Sequence, residues 1–280
     1  MIVSRKHGFV FMHNPKVAGS SVRQVLDGWR DPEIELFDVD PDPASALHRI
    51  DRAHIGIAEF RSYYPDLWSQ TKTLPFFVLT RDPLKRFLSS VNEYSRVYGE
   101  IDIRFADVPV RRRVLFGLIE RLEKLGQTEK VLESLDLTHF RPQWIYLQPP
   151  EGERIELHAF DLSDMTRFTS ELSSRIGAPL DFGRENSSEQ FDLPGPMRKI
   201  LANNAIKKRL RRLPGTTWAM KRLRGHGART AQSTERLGMS GRYGLNADET
   251  NNVETFVRHF YARDYSVLGQ IQTSDLRVKV

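Results

Sequence analysis

The sequence predicts an α/β fold: a central, mostly parallel sheet flanked by helices. Three observations carry this expectation. Phe9-Val10-Phe11-Met12-His13 is a short apolar run, and so is Phe76-Phe77-Val78-Leu79-Thr80. Both have the pattern of strands buried on their two faces. Each is followed by a tight, turn-forming stretch and then by apolar residues at helical spacing, the strand–loop–helix unit from which parallel sheets are built.

In the first unit, a loop from Asn14 to Ser21 contains Pro15 and Gly19. Val22, Val25, Leu26 and Trp29 then recur at i, i+3, i+4 and i+7 as a helix face. Ser20 or Ser21 is expected to supply the N-cap. In the second unit, Arg81-Asp82-Pro83 turns the chain, and Pro83 suits the first helical turn. Leu84, Phe87, Leu88, Val91 and Tyr94 follow at helical spacing. A middle helix carries Val114, Leu115, Leu118, Ile119 and Leu122 on one face, and Arg154 to Phe160 is expected as a third strand. Met165, Phe168, Leu172 and Ile176 mark a helix that Gly177 would end. Residues 181–196 are polar and turn-rich, residues 197–242 form a basic insertion, and Val253, Phe256, Val257 and Phe260 stripe a closing helix. The expectation is one domain spanning residues 1–280 with that insertion.

Charge and composition narrow the function classes. The net charge is +6, yet no acidic residue stands between Asp192 and Glu235, a stretch that holds eleven Lys and Arg. Removing those eleven from +6 leaves about −5 for the rest of the chain, so the basic character belongs to one segment. Cysteine is absent, which excludes a disulfide framework, a thiolate nucleophile and Cys-ligated metal. No apolar run approaches the ~20 residues of a membrane span, and Met1 to Gly8 lack the apolar core of a signal peptide. A cytoplasmic setting is expected, or one at the inner membrane leaflet reached through residues 197–242.

Two loops carry the chemistry. Asn14-Pro15-Lys16-Val17-Ala18-Gly19-Ser20-Ser21 follows a strand and opens a helix. Such a turn presents unpaired backbone N–H groups and the positive end of a helix dipole, a ready anion site. Gly19 lets backbone approach a ligand, Lys16 adds a point charge, and Ser20 and Ser21 add hydroxyl donors. The nucleotide loop of P-loop NTPases has Gly directly before its Lys; here Pro15 precedes Lys16 and Gly19 follows it. No strand ending in an evident Mg²⁺-binding Asp accompanies the loop, which points away from ATP hydrolysis. The second loop runs from Arg81 to Ser89. An Arg at the C-terminal end of a strand lies where ligands bind in open α/β sheets, and Arg81 with Ser89 would hold a second phosphate.

At these residues the chain resembles the PAPS-dependent sulfotransferases. Pro15 to Ser21 is similar to their 5′-phosphosulfate loop. Arg81-Asp82-Pro83, with Arg86 and Ser89, is similar to their 3′-phosphate site. The branch it resembles most is the carbohydrate type, including the uronyl 2-O-sulfotransferases. Ala53-His54-Ile55-Gly56, His139-Phe140-Arg141-Pro142-Gln143, Asn186-Ser187-Ser188 and Phe260-Tyr261-Ala262-Arg263-Asp264-Tyr265 resemble further segments of that branch. The similarity covers about residues 8–192 and 245–268. It implies a P-loop-like sulfotransferase fold. It also implies transfer of a sulfuryl group from PAPS, without a metal, to a hydroxyl or amine of a carbohydrate or glycolipid, leaving PAP. Lys16 would be catalytic; Lys16, Val17, Ala18, Gly19, Ser20, Ser21, Arg81 and Ser89 would bind the nucleotide. His54 matches the family's base position, with Glu59 as a second candidate.

Plainer readings stand beside these. Pro15 to Ser21 also suits an ordinary β–α turn, and Arg81-Asp82-Pro83 a structural turn with Asp82 as helix cap. Arg86 suits an internal ion pair, and His13 a structural place on a buried strand. His54 suits a satisfied or surface histidine, and His139 suits substrate binding or packing on Phe140. In the basic segment, Ile200, Leu201, Ile206, Leu210, Leu213, Trp218, Met220 and Leu223 are interleaved with cations. That pattern fits an amphipathic hairpin on anionic membrane, a grip on an anionic glycan, or a solvated insertion. Nucleic acid is disfavoured because no recognised motif accompanies it. Two rival functions remain: a nucleotide-dependent phosphotransferase on a related sheet, and a non-catalytic membrane or nucleic-acid adaptor.

Overall fold

The two apolar runs are neighbouring strands at the centre of one sheet in the computed structural model. It describes residues 1–37, 39–42, 45–126, 131, 134–182, 203, 205–206, 238–273 and 278–279. Strands β1 (Ile2–Ser4), β2 (Phe9–Met12), β5 (Phe76–Thr80), β6 (Glu156–Asp161) and β7 (Val278–Lys279) form a five-stranded sheet in the order β1-β2-β5-β6-β7. The three inner strands are parallel, with Met12 opposite Val78 and Thr80 opposite Asp161. Both edge strands run antiparallel to their neighbours.

Side-chain alternation sorts the inner strands onto two faces, as a period of two requires. Val10, Met12, Phe76, Val78 and Leu157 pack with Ile57 and Phe60 of α2 (Ile57–Tyr63) and Trp68 of α3 (Pro65–Thr71). Phe9, Phe11, Phe77, Leu79 and Phe160 pack with Val22 and Leu26 of α1 (Gly19–Leu26). Phe168 and Leu172 of α6 (Met165–Ile176) join that second face. The sheet is thus covered on both sides, which is why its strands read as continuous apolar runs. Gly177, at φ +76°, ends α6 in the left-handed conformation, and the third strand sits slightly C-terminal to its expected start.

Three features depart from the sequence reading. Val39–Asp42 (β3) and Ser45–Asp51 (β4) form a separate antiparallel hairpin. Its first strand contains Pro41 between two aspartates, a composition that reads as turn. Helix α1 begins at Gly19, not after a serine cap. Its N-cap is Ala18, left-handed at φ 61°, with no side-chain cap, and Ser20 and Ser21 fall inside the first turn. The Ala18 carbonyl accepts from the N–H groups of Ser21 and Val22, which starts the helix early. The closing segment is two helices, α8 (Ala247–Phe260) and α9 (Ala262–Thr273), not one.

The chain divides into two compact units. The first comprises Met1–Arg86, Thr128–Glu185 and Phe260–Val280, and the second Phe87–Gln127 and Asn186–His259. The boundary falls within α4 (Pro83–Val97). In the second unit, α5 (Val108–Leu125) buries Leu115, Leu118 and Leu122, as its spacing predicts, and α8 buries Val253 and Val257. Phe87 and Phe256 meet with ring centroids 5.7 Å apart. Arg111 donates to the carbonyls of Ile103 and Ala106, and to that of Arg242 on α7 (Met239–Tyr243). Most of the basic segment 197–242 lies outside the described residues, as do Asn186, Ser187 and Ser188. Among the described residues, no helix is long and apolar enough to cross a membrane.

Candidate active site

The candidate site lies in the first unit, at the C-terminal ends of β2 and β5. Past Met12 the chain leaves the sheet through Asn14 and Pro15 and enters a loop that no regular structure would tolerate. Lys16 and Ala18 hold positive φ, 65° and 61°, on either side of Val17. Left-handed backbone at a residue with a Cβ costs on the order of 1–3 kcal/mol and persists only where the surroundings impose it. Here Val17 imposes it. Its side chain is fully buried in the core beneath the loop, so the flanking peptides fold around that anchor. Alternating backbone hand is the geometry that turns successive N–H groups toward one point, a concavity suited to anions. The loop opens directly onto the N-terminus of α1, which adds its dipole.

Gly19 is required there for a reason other than dihedral freedom. A Cβ at Gly19 would fall inside the imidazole ring of His13. That ring is 5% exposed and stacks near Phe11, so it has little room to yield. Gly19→Ala is expected to destabilise the protein by about 1–3 kcal/mol through overpacking. Thermal denaturation checks the effect.

The second loop meets the first. Arg81 stands one residue past the end of β5, and its Nη1 donates to the Lys16 carbonyl at 3.1 Å. The two sequence-predicted loops are therefore in direct contact. Ser89, paired with Arg81 in the sequence reading, lies on α4 and belongs to the second unit. Asp82 accepts from the Lys85 N–H at 2.9 Å, as a cap for the first turn of α4 should.

Three histidines gather beside the loop. The ring centroids of His13 and His54 are 4.3 Å apart, and those of His54 and His139 are 5.4 Å apart. His54 Nδ1 lies 3.1 Å from the His13 carbonyl. A carbonyl only accepts, so Nδ1 carries the proton and neutral His54 has its lone pair on Nε2. The His54 backbone is clamped as well: its carbonyl accepts from Arg141 Nη1 at 3.2 Å and from the Tyr146 hydroxyl at 2.8 Å. Burial pushes His54 down to about 3, against the opposing hydrogen bond to His13, with Arg141 and Arg23 adding repulsion. Burial likewise holds His13 well below the usual histidine range, helped by His54.

Both rings are thus neutral in the folded protein at neutral pH. The unfolded chain takes up protons first as pH falls below the ordinary value of 6.5. The stability these rings contribute is complete above that value and declines as pH drops toward about 3. Chemical denaturation at pH 7 and pH 5 is expected to show lower stability at pH 5. His54 alone accounts for roughly 2 kcal/mol of the difference, and His54→Asn should remove that share while His13 retains its own.

Glu59 is occupied by structure. Its Oε2 accepts from the Gly56 N–H at 2.6 Å, capping α2, and from Arg141 Nη1 at 2.9 Å. Arg86 is fully buried. It donates to the carbonyls of His139 and Arg141 at 3.3 and 2.6 Å, lies 3.9 Å from Asp264, and faces the Tyr261 ring. It is an internal ion-pair residue, as its plainer reading held.

Sequence reasoning passed over the residues that join these parts. Asn14, Gln143 and Asp264 are each 0% exposed. Asn14 Nδ2 donates to the Leu79 carbonyl and to Gln143 Oε1, each at 2.9 Å. Gln143 Oε1 also accepts from the Arg81 N–H at 3.0 Å, and Gln143 Nε2 donates to the Arg81 carbonyl at 2.7 Å. Asp264 accepts from the N–H groups of Gln143 and Trp144, each at 2.9 Å. These are the otherwise unpaired first donors of the 3-10 turn Gln143–Tyr146. Burial raises the Asp264 carboxyl, opposed by Arg86 and by those two N–H groups. The sequence marked the segments that hold these residues, the loop from Asn14, His139 to Gln143 and Phe260 to Tyr265, but not the network that joins them. No protein-family model, no curated protein and no solved structure matches this chain.

Proposed function

We propose that the protein is a PAPS-dependent sulfotransferase acting on a hydroxyl or amine of a carbohydrate or glycolipid. One observation supports this most: two anion-suited loops, at the ends of adjacent parallel strands, touch through Arg81 and the Lys16 carbonyl. One nucleotide with phosphate-type groups at both ends would span them. In this reading the 16–21 backbone and Lys16 hold the 5′-phosphosulfate, and Arg81 holds the 3′-phosphate that distinguishes PAPS from ATP. His54 Nε2 takes the acceptor proton as the acceptor oxygen or nitrogen bonds to sulfur and the sulfur–oxygen bond to the phosphate breaks. Lys16 stabilises the charge left on the departing phosphate oxygen. A base held near 3 without ligand is weak, but an anion bound beside it favours the imidazolium and raises its affinity for a proton.

Isothermal titration tests the reading. PAP is expected to bind without Mg²⁺, and ATP weakly. Tight, Mg²⁺-dependent ATP binding would favour the phosphotransferase. Binding to liposomes or RNA with none to PAP would favour an adaptor built on residues 197–242. Incubation with labelled PAPS and fractionated cell-envelope extracts would then identify the acceptor.

A further inference from the structure

We propose that Gln143 is the positioning residue that joins the Lys16 loop and the Arg81 loop into one preset cradle, through a single buried carboxamide. The sheet ends at Met12 on β2 and at Thr80 on β5, so the ladder no longer fixes the chain where both loops begin. The Gln143 side chain takes over. It offers an acceptor to the Arg81 N–H and a donor to the Arg81 carbonyl, the same pair that a neighbouring strand would supply. With its Oε1 it also receives Asn14 Nδ2, which bonds Leu79 on β5 as well.

The network has one consistent orientation. The Arg81 N–H needs an acceptor and the Arg81 carbonyl needs a donor, which sets the Gln143 oxygen and nitrogen. Asn14 must then turn its NH₂ to Gln143 and to Leu79. Asn14 Oδ1 is left buried without a hydrogen-bond partner among the described residues. A buried acceptor left in that state is costly, so the arrangement is retained for what it positions. Gln143 is itself held at its backbone by Asp264, which lies 121 residues on. The Arg81 backbone, once set, aims the guanidinium at the Lys16 carbonyl. Gln143 therefore acts on a ligand only through the two loops. That the ligand is PAPS rests on the reading above; the joining of the loops does not.

Gln143→Glu keeps shape and both acceptor contacts but removes the donor to Arg81 and sets an anion against its carbonyl. Hydrogen exchange on the unliganded full chain is expected to quicken about tenfold or more at the Arg81 amide and across residues 16–20. PAP affinity is expected to fall about tenfold in the wild-type background and not at all further in an Arg81→Ala background, as coupled sites behave. Unchanged exchange at residues 16–20, or full additivity with Arg81→Ala, would overturn the proposal. Should Gln143→Glu fail to fold, Asn14→Ala gives the same decision. Quickened exchange at the Arg81 amide as well as at 16–20 supports the joining; a change confined to 16–20 refutes it. If wild-type protein does not bind PAP, the nucleotide reading falls and the exchange results alone decide the role of Gln143.

Discussion

Lys16→Ala is expected to lower kcat by about 10²–10³-fold, the usual consequence of removing one group that meets developing charge. PAP affinity should change by less than about tenfold, because the loop N–H groups, the α1 dipole and Arg81 still face the ground-state anion. The unusual backbone at this position gives the experiment an internal control. Lys16 sits at φ 65°, and Ala, which also has a Cβ, bears the same strain. Lys16→Gly relieves it. If the loss of turnover came from a distorted loop, Gly would restore activity relative to Ala. If it comes from the missing charge, Gly and Ala are equally impaired and Lys16→Arg recovers part of the rate. Steady-state kinetics with PAP titrations on the three variants separate these cases. A kcat within threefold of wild type in Lys16→Ala would remove Lys16 from the chemistry.

Arg81→Ala should raise the PAPS KM by about ten- to a hundredfold, the range expected when a charge-assisted contact is lost. Two things disappear together. The anion loses a guanidinium, and the Lys16 carbonyl loses the donor that ties the first loop to the second. Arg81→Lys separates them. An ammonium preserves the charge but not the planar fork that reaches a carbonyl and an anion at once. Partial recovery of KM with Lys, and no recovery of loop protection in hydrogen exchange, is the expected pattern. A KM unchanged in Arg81→Ala would move the second phosphate elsewhere.

The legible parts of the fold were those set by local apolar pattern. Phe9–Met12 and Phe76–Thr80 announce themselves because both faces are covered, and Gly177 announces a helix end because only glycine takes that conformation freely. The β3–β4 hairpin stayed hidden because Pro41 and its flanking aspartates mimic a turn. The serine cap was misplaced because a left-handed Ala18 leaves no mark on the sequence; it follows from Val17 being drawn into the core. In the candidate site, the placement of Lys16, Gly19 and Arg81 in turns at strand ends was readable because each turn directly follows an apolar run. The pairing of Asn14 with Gln143, 129 residues apart, was not. An amide side chain carries no sign of its partner, and here the partner is supplied by the crossing of three chain segments. Glu59 looked like a base because a carboxylate near a histidine suits one; its engagement with Gly56 and Arg141 emerges only in three dimensions.

Asp264, whose two oxygens hold the 143–146 turn, has a consequence for biosynthesis. When both loops and Gln143 have been made, the carboxylate that seats the Gln143 turn still lies 121 residues ahead. The emerging polypeptide should therefore remain ligand-incompetent until translation has passed residue 264 and that helix has docked, so that assembly of the candidate site waits on a segment made 121 residues after Gln143.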